Sequence, residues 1–163
     1  MIPKFSGPVS VTTPHARFLY TEYAEPSEAW KNLLKTQVAI DEIIESHPRL
    51  EKAHEDCHLV FFDGSSKTWV GREIIGHMSS WPSPFQAFDS YKGEAFEWSI
   101  EDSNLAPQVE DLLTWKAQLA SLAPAALAPT WRLRLSPMEC LDTENDNAVG
   151  FLPNISFQFF KSH

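Results

Sequence analysis

The residues best suited to chemistry cluster at His54-Glu55-Asp56-Cys57-His58, which matches the H-E-x-x-H pattern letter for letter. In zinc hydrolases a helix sets both histidines one turn apart on one face, and the glutamate acts as general base on metal-bound water. Here the pattern runs straight into Leu59-Val60-Phe61-Phe62, an apolar run that reads as a strand, so His54 and His58 do not share a helix. No metal ligand is therefore assigned, and a zinc-dependent hydrolase built on His54, Glu55 and His58 stands as the remote alternative. Taken instead as the first residue of a strand, His58 is a candidate for proton transfer, since histidine titrates near neutral pH. His77 is a candidate on the same ground. Asp56 is placed to orient either imidazole. Glu97 sits beside Trp98 in an alternating segment; if its face lines a cavity, it becomes a buried carboxylate fit for general-base work. Each has a structural reading beside the chemical one: a strand-end histidine that is hydrogen-bonded or solvated, an aspartate that caps a helix, a glutamate on a wet face. Trp69, Trp98 and Trp131 are candidates for pocket or interface aromatics, with plain core as the competing role. Tyr91 is a candidate donor to a substrate oxygen. No Gly-rich phosphate loop and no G-x-S-x-G elbow occurs, so nucleotide binding and serine hydrolysis are set aside, and no cofactor is expected.

The elements that must position these residues follow from periodicity. Pro26-Ser27 opens a helix, with Ser27 as N-cap and Glu28 in the first turn. Trp30, Leu33, Leu34, Val38, Ile40, Ile43 and Ile44 continue it at helical spacing until His47-Pro48 ends it. A second short helix is expected from Pro48 to about Glu55. His58–Phe62 reads as a strand closed by the turn pair Asp63-Gly64, with Lys67–Val70 as its hairpin partner. Gly71 is expected to break that strand and Arg72–Ser80 to form a short helix. Three segments alternate cleanly: Glu94–Glu101, Thr130–Ser136 and Ile155–Phe160. Phe85–Asp89 is a further strand. Residues 1–26, punctuated by Pro3, Gly7, Pro8, Pro14 and Pro26, read as an irregular lead-in, with a short strand or helix around Arg17–Tyr23. Residues 104–129 read as a helical insertion (108–122) followed by an alanine- and proline-rich linker, and Asp142–Asn147 as an acidic loop. No repeat is visible at any period. Arg132 and Arg134 are expected to pair across strands with Glu97 and Glu101.

At 163 residues, 43% hydrophobic and 21% charged, the chain fits a single domain spanning 1–163. Asp and Glu number 22 against 13 Lys and Arg, a formal charge of −9, which makes phosphate backbones and anionic lipid heads poor partners. Neither nucleic acid nor membrane is expected to bind. Two cysteines, no apolar leader and no span-length run fit a reduced, cytoplasmic protein.

The order helix, helix, strand, strand, helix and then a run of strands, together with Leu59-Val60-Phe61-Phe62-Asp63-Gly64 and Thr68-Trp69-Val70-Gly71-Arg72-Glu73-Ile74-Ile75, resembles the SnoaL-like polyketide cyclases of the nuclear-transport-factor-like superfamily. That resemblance implies an α+β fold in which a curved, mostly antiparallel sheet of about five or six strands wraps N-terminal helices around a cone-shaped apolar pocket. It implies a cofactor-independent lyase, isomerase or cyclase that uses His58, His77, Asp56 and Glu97 on a small hydrophobic, polyketide- or terpenoid-like metabolite. The alternative is a non-catalytic ligand-binding or dimerisation module of the same fold. A homodimer through the late strands, around Phe160, Phe151 and Leu152, is also implied.

Overall fold

A strand with period-two alternation has one face to bury and one to leave open. The computed structural model describes residues 3–13, 15–89, 93–100, 107–136 and 154–162. Its strands are β1 (Phe5–Thr13), β2 (Arg17–Tyr23), β3 (Glu51–Lys52), β4 (Cys57–Phe62), β5 (Thr68–Ile75), β6 (Gln86–Asp89), β7 (Gly93–Ile100), β8 (Leu127–Ser136) and β9 (Asn154–Lys161). The helices are α1 (Pro26–Lys31), α2 (Leu33–Glu45) and α3 (Val109–Ser121). All nine strands join one sheet in the order β1-β7-β9-β8-β4-β5-β2-β6, with β3 paired to β5, and every described pairing is antiparallel. The fold class is therefore the expected one: α+β, with a curved antiparallel sheet wrapped against the N-terminal helices.

The helices cover one face. Leu59 and Phe61 of β4, Trp131 and Leu133 of β8, and Phe157 and Phe159 of β9 pack there with Trp30, Leu33, Leu112 and Trp115 from all three helices. A smaller cluster seats Ile40, Ile43 and Ile44 of α2 on Leu19 and Ile74. Burial of this apolar area is the main driving force for the fold.

A pseudo-twofold underlies the sheet. Outward from its centre the order is β4, β5, β2 on one side and β8, β9, β7 on the other. Each trio carries its helical segment in the same place in the chain, α1–α2 between β2 and β4, α3 between β7 and β8. The two halves meet where β4 and β8 pair, with His58 opposite Arg134 and Val60 opposite Arg132.

Several sequence expectations are corrected here. The lead-in is two long strands; Pro8 is tolerated because it sits on the edge strand β1, at a break in register between Ser6 and Val9. The first long helix is interrupted at Asn32. No helix follows Pro48: Leu50 is buried under α2, and Glu51 and Lys52 pair with Ile75 and Ile74 instead. Arg72–Ser80 is not helical either, because β5 runs through Gly71 to Ile75. Gly71 belongs in the strand, since a Cβ there would lie 2.1 Å from the Leu19 carbonyl oxygen. The Gly-Arg-Glu-Ile-Ile stretch that carries the resemblance is thus strand rather than helix start. Finally, α3 is the second half's counterpart of α1–α2, and the expected linker is already β8 from Leu127.

Candidate ligand-binding site

Two clefts open on the sheet face turned away from the helices. The first, of about 200 Å³, is an aromatic chamber walled by Phe18, Phe62, Trp69, Phe88 and Phe160, with Arg132 among its wall residues. Alternation places them: Phe62 and Trp69 point away from the core because Phe61 and Val70 point into it. Trp69 stacks on Tyr20 at 4.1 Å between ring centroids, and Phe62 meets it edge-on at 4.8 Å. The indole N–H of Trp69 donates to Glu22 at 2.8 Å, which satisfies the ring's polar edge.

The second cleft, about 390 Å³, is lined by His54, Asp56, His58, Glu73, Glu97 and Arg134 among others. Arg132 belongs to both clefts. Its polar groups form a closed ring of contacts. Glu73 Oε1 lies 3.2 Å from His54 Nε2, 3.6 Å from Arg132 Nη1 and 3.7 Å from His58 Nε2. The Arg132 Nε–H donates to Gln158 Oε1, and Gln158 Nε2 donates to Glu97 Oε2 at 2.6 Å. Arg134 spans from Glu97 (3.7 Å) to Asp56 (3.4 Å). The backbone N–H of Asp56 donates to His54 Nδ1 at 3.2 Å, so the proton of a neutral His54 sits on Nε2 and points at Glu73.

Electrostatics follow from this geometry. Burial alone would raise the Glu73 pKa, but the His54 hydrogen bond and the nearby Arg132 outweigh it and hold the carboxylate below its ordinary range. Glu73 is therefore an anion at neutral pH. Arg132 is pulled down by desolvation, partly offset by Glu73. His58 is fully buried, and neither ring nitrogen has a hydrogen-bond partner. Burial, then Arg132, His54 and Arg134, push its pKa well below 6.5, which keeps it neutral.

The structure brings His58, Asp56 and Glu97 into one cleft and places Trp69 on the chamber wall. His77 is elsewhere, in a surface hollow with His47 and Arg49. Trp98 and Trp131 are core on the helix side, so as pocket aromatics they are corrected. Tyr91 and Glu101 lie outside the described residues, as do Phe151 and Leu152. Arg134 reaches Glu97 as expected, whereas Arg132 is linked to it through Gln158. The H-E-x-x-H pattern spans a turn and the start of β4, not a helix, and among the described residues no group of three or more His, Cys, Asp or Glu is arranged to hold a metal. Sequence reasoning missed Glu73, the centre of the network. Its signal was present: in a strand, Glu73 shares the face of Trp69 and Gly71.

Solved structures share this architecture. The chain is similar to EcmrR in the cryo-EM structure of the EcmrR–DNA complex in EcmrR-RPo, with a TM-score of 0.63 and 10% identity over 97% of this chain and 58% of that one. It is likewise similar to the crystal structure of the EcmrR C-terminal domain, with a TM-score of 0.62 and 10% identity over 99% of this chain and 100% of that domain. This chain thus spans 58% of the length of the longer EcmrR chain. No protein-family model and no curated protein matches the sequence. Among the described residues no helix is long and apolar enough to cross a membrane. What these likenesses support of the SnoaL-like resemblance is the coarse α+β architecture; the polyketide-cyclase family is not among their findings.

Proposed function

We propose that this chain is a non-catalytic binding module for a small, largely aromatic molecule. One observation carries the reading: an aromatic chamber backs onto an ionic network in which Glu73, Glu97 and Asp56 are each already engaged by His54, Arg132, Arg134 or Gln158. Aromatic walls supply apolar contact area, and Arg132 at the junction gives orientation. The likeness to the C-terminal domain of a longer chain solved on DNA fits a module that reports a ligand rather than converts it. With a formal charge of −9, direct contact with nucleic acid is no part of this reading. A homodimer docked over Phe160 would have to share the face that carries the chamber.

The lyase, isomerase or cyclase reading keeps one supporting fact, the meeting of His58, Asp56 and Glu97 in one cleft. Against it, both nitrogens of His58 are sealed from solvent, and Glu73 is held as an anion with His54 hydrogen-bonded to its Oε1. A general base must reach the proton it takes.

A panel of one- and two-ring aromatic compounds, titrated against tryptophan fluorescence, tests the proposal. Saturable one-to-one binding by some members is expected, lost in Trp69→Ala, with the compounds recovered unchanged by mass spectrometry. Absence of saturable binding across the panel, or chemical conversion abolished by Glu73→Gln, would overturn it.

A further inference from the structure

We infer that the aromatic chamber selects anions, and that its ligand is a one- or two-ring aromatic carboxylate. This rests on the binding-module reading and specifies its ligand. Size sets the ring count: about 200 Å³ exceeds the roughly 150 Å³ of a cavity known to hold benzene and falls short of the ~300 Å³ at which drug-sized pockets begin.

Charge sets the head group. Among the described residues that wall the chamber, Arg132 is the one charged residue. Its guanidinium lies 5.4 Å from the centroid of Phe160, a wall ring. At the rim the exposed Lys67 ammonium stands 4.6 Å from the centroid of Phe62 and 5.9 Å from that of Trp69. Three of the wall rings that would attract a cationic ligand, Phe62, Trp69 and Phe160, therefore already stand near cations of the protein. The carboxylates of the site lie elsewhere: Glu73 and Glu97 line the polar cleft, and Glu22 holds the indole N–H of Trp69.

Arg132 has reason to accept a second anion. It is buried, yet its contact with Glu73 is 3.6 Å, longer than the ~2.7–2.9 Å of a charge-assisted hydrogen bond. The Arg132 Nε is taken by Gln158, so a planar carboxylate that enters the chamber head-first meets the terminal guanidinium nitrogens. A cation in the same place meets like charge in a low-dielectric wall, which is unfavourable.

The test compares three ligands with one ring system: 2-naphthoate, 2-naphthamide and 2-naphthylmethylammonium, titrated by tryptophan fluorescence at about pH 7 and low salt. Naphthoate is expected to bind at least about tenfold more tightly than the amide, and the ammonium not to saturate. Arg132→Gln should erase the preference. Because that variant disturbs a buried network, Lys67→Glu on the exposed rim provides a second reading: the ratio of naphthoate to amide affinity should fall by threefold or more. Equal affinity for acid and amide, or preference for the ammonium, overturns the anion assignment and leaves the binding module standing. If none of the three binds, both fall.

Discussion

Replacing His58 by Leu should stabilise this protein and flatten its response to acid. His58 is fully buried with two ring nitrogens that no group satisfies. A buried polar group without a partner costs about 1–3 kcal/mol, and an apolar side chain of similar size removes that cost. For a domain of this length about 2 kcal/mol corresponds to roughly 4–8 °C in Tm near neutral pH. The pH term adds to it. Burial and the surrounding arginines depress the folded-state pKa of His58 below 6.5. On acidification the unfolded chain takes up this proton first, so stability is fully present above 6.5 and falls as pH drops towards the folded value. The slope is at most about 1.4 kcal/mol per pH unit, or about 2 kcal/mol between pH 6.5 and 5. Urea denaturation of both proteins at about pH 7.5 and 5 would read both effects. The natural protein should lose more than His58→Leu over that interval, by at most about 2 kcal/mol. Equal acid slopes, or a variant less stable near neutrality, would refute the reasoning that His58 is an unsatisfied neutral imidazole.

Glu73→Gln keeps a hydrogen-bond acceptor for His54 but strips the buried Arg132 of its counter-charge. It should cost about 3 kcal/mol in urea denaturation, and a loss below about 1 kcal/mol would show the network to be dispensable. Gly71→Ala puts a methyl group 2.1 Å from the Leu19 carbonyl oxygen, and should abolish soluble expression or cost more than about 3 kcal/mol; near-normal stability would mean that β2 and β5 are not so paired. Burial pushes the Cys57 thiol up to about 12. In a Cys140→Ser background the folded protein should be silent to a thiol-disulfide reagent at mildly alkaline pH and react on unfolding, and rapid native labelling would contradict its place in the core.

The strands with clean alternation were legible because each presents unlike faces: β7, β8 and β9 fall within a residue or three of where Glu94–Glu101, Thr130–Ser136 and Ile155–Phe160 place them. Two kinds of segment were not. Residues 5–23 carry prolines and glycines that locally signal irregular chain, yet edge position and pairing with β7 and β5 decide their conformation. Residues 71–75 contain a glycine and a charged pair that look like a strand break and helix start. Their strand state depends on contacts remote in sequence: Leu19 over Gly71, Asp41 3.1 Å from Arg72, and His54 against Glu73. The same misreading hid the centre of the site, because a helical Glu73 has no fixed relation to Trp69, whereas a strand puts the two on one face. His58, Asp56 and Glu97 were singled out by residue type and strand position and fall in one cleft, whereas His77, chosen by residue type, lies elsewhere.

The pseudo-twofold has a consequence for how the two clefts differ. Across the β4–β8 seam Val60 lies opposite Arg132, and their outer neighbours are Trp69 and Gln158. One strand further out, Glu22 lies opposite Trp69 and Glu97 opposite Gln158. Both glutamates do the same job, accepting a side-chain N–H at 2.8 Å on one side and 2.6 Å on the other. The outer hydrogen bonds of the two halves are thus alike, and only the inner positions differ, with valine and indole on one side, guanidinium and amide on the other. On the binding-module reading, those two inner pairs are what make one half an aromatic chamber and the other a polar cleft.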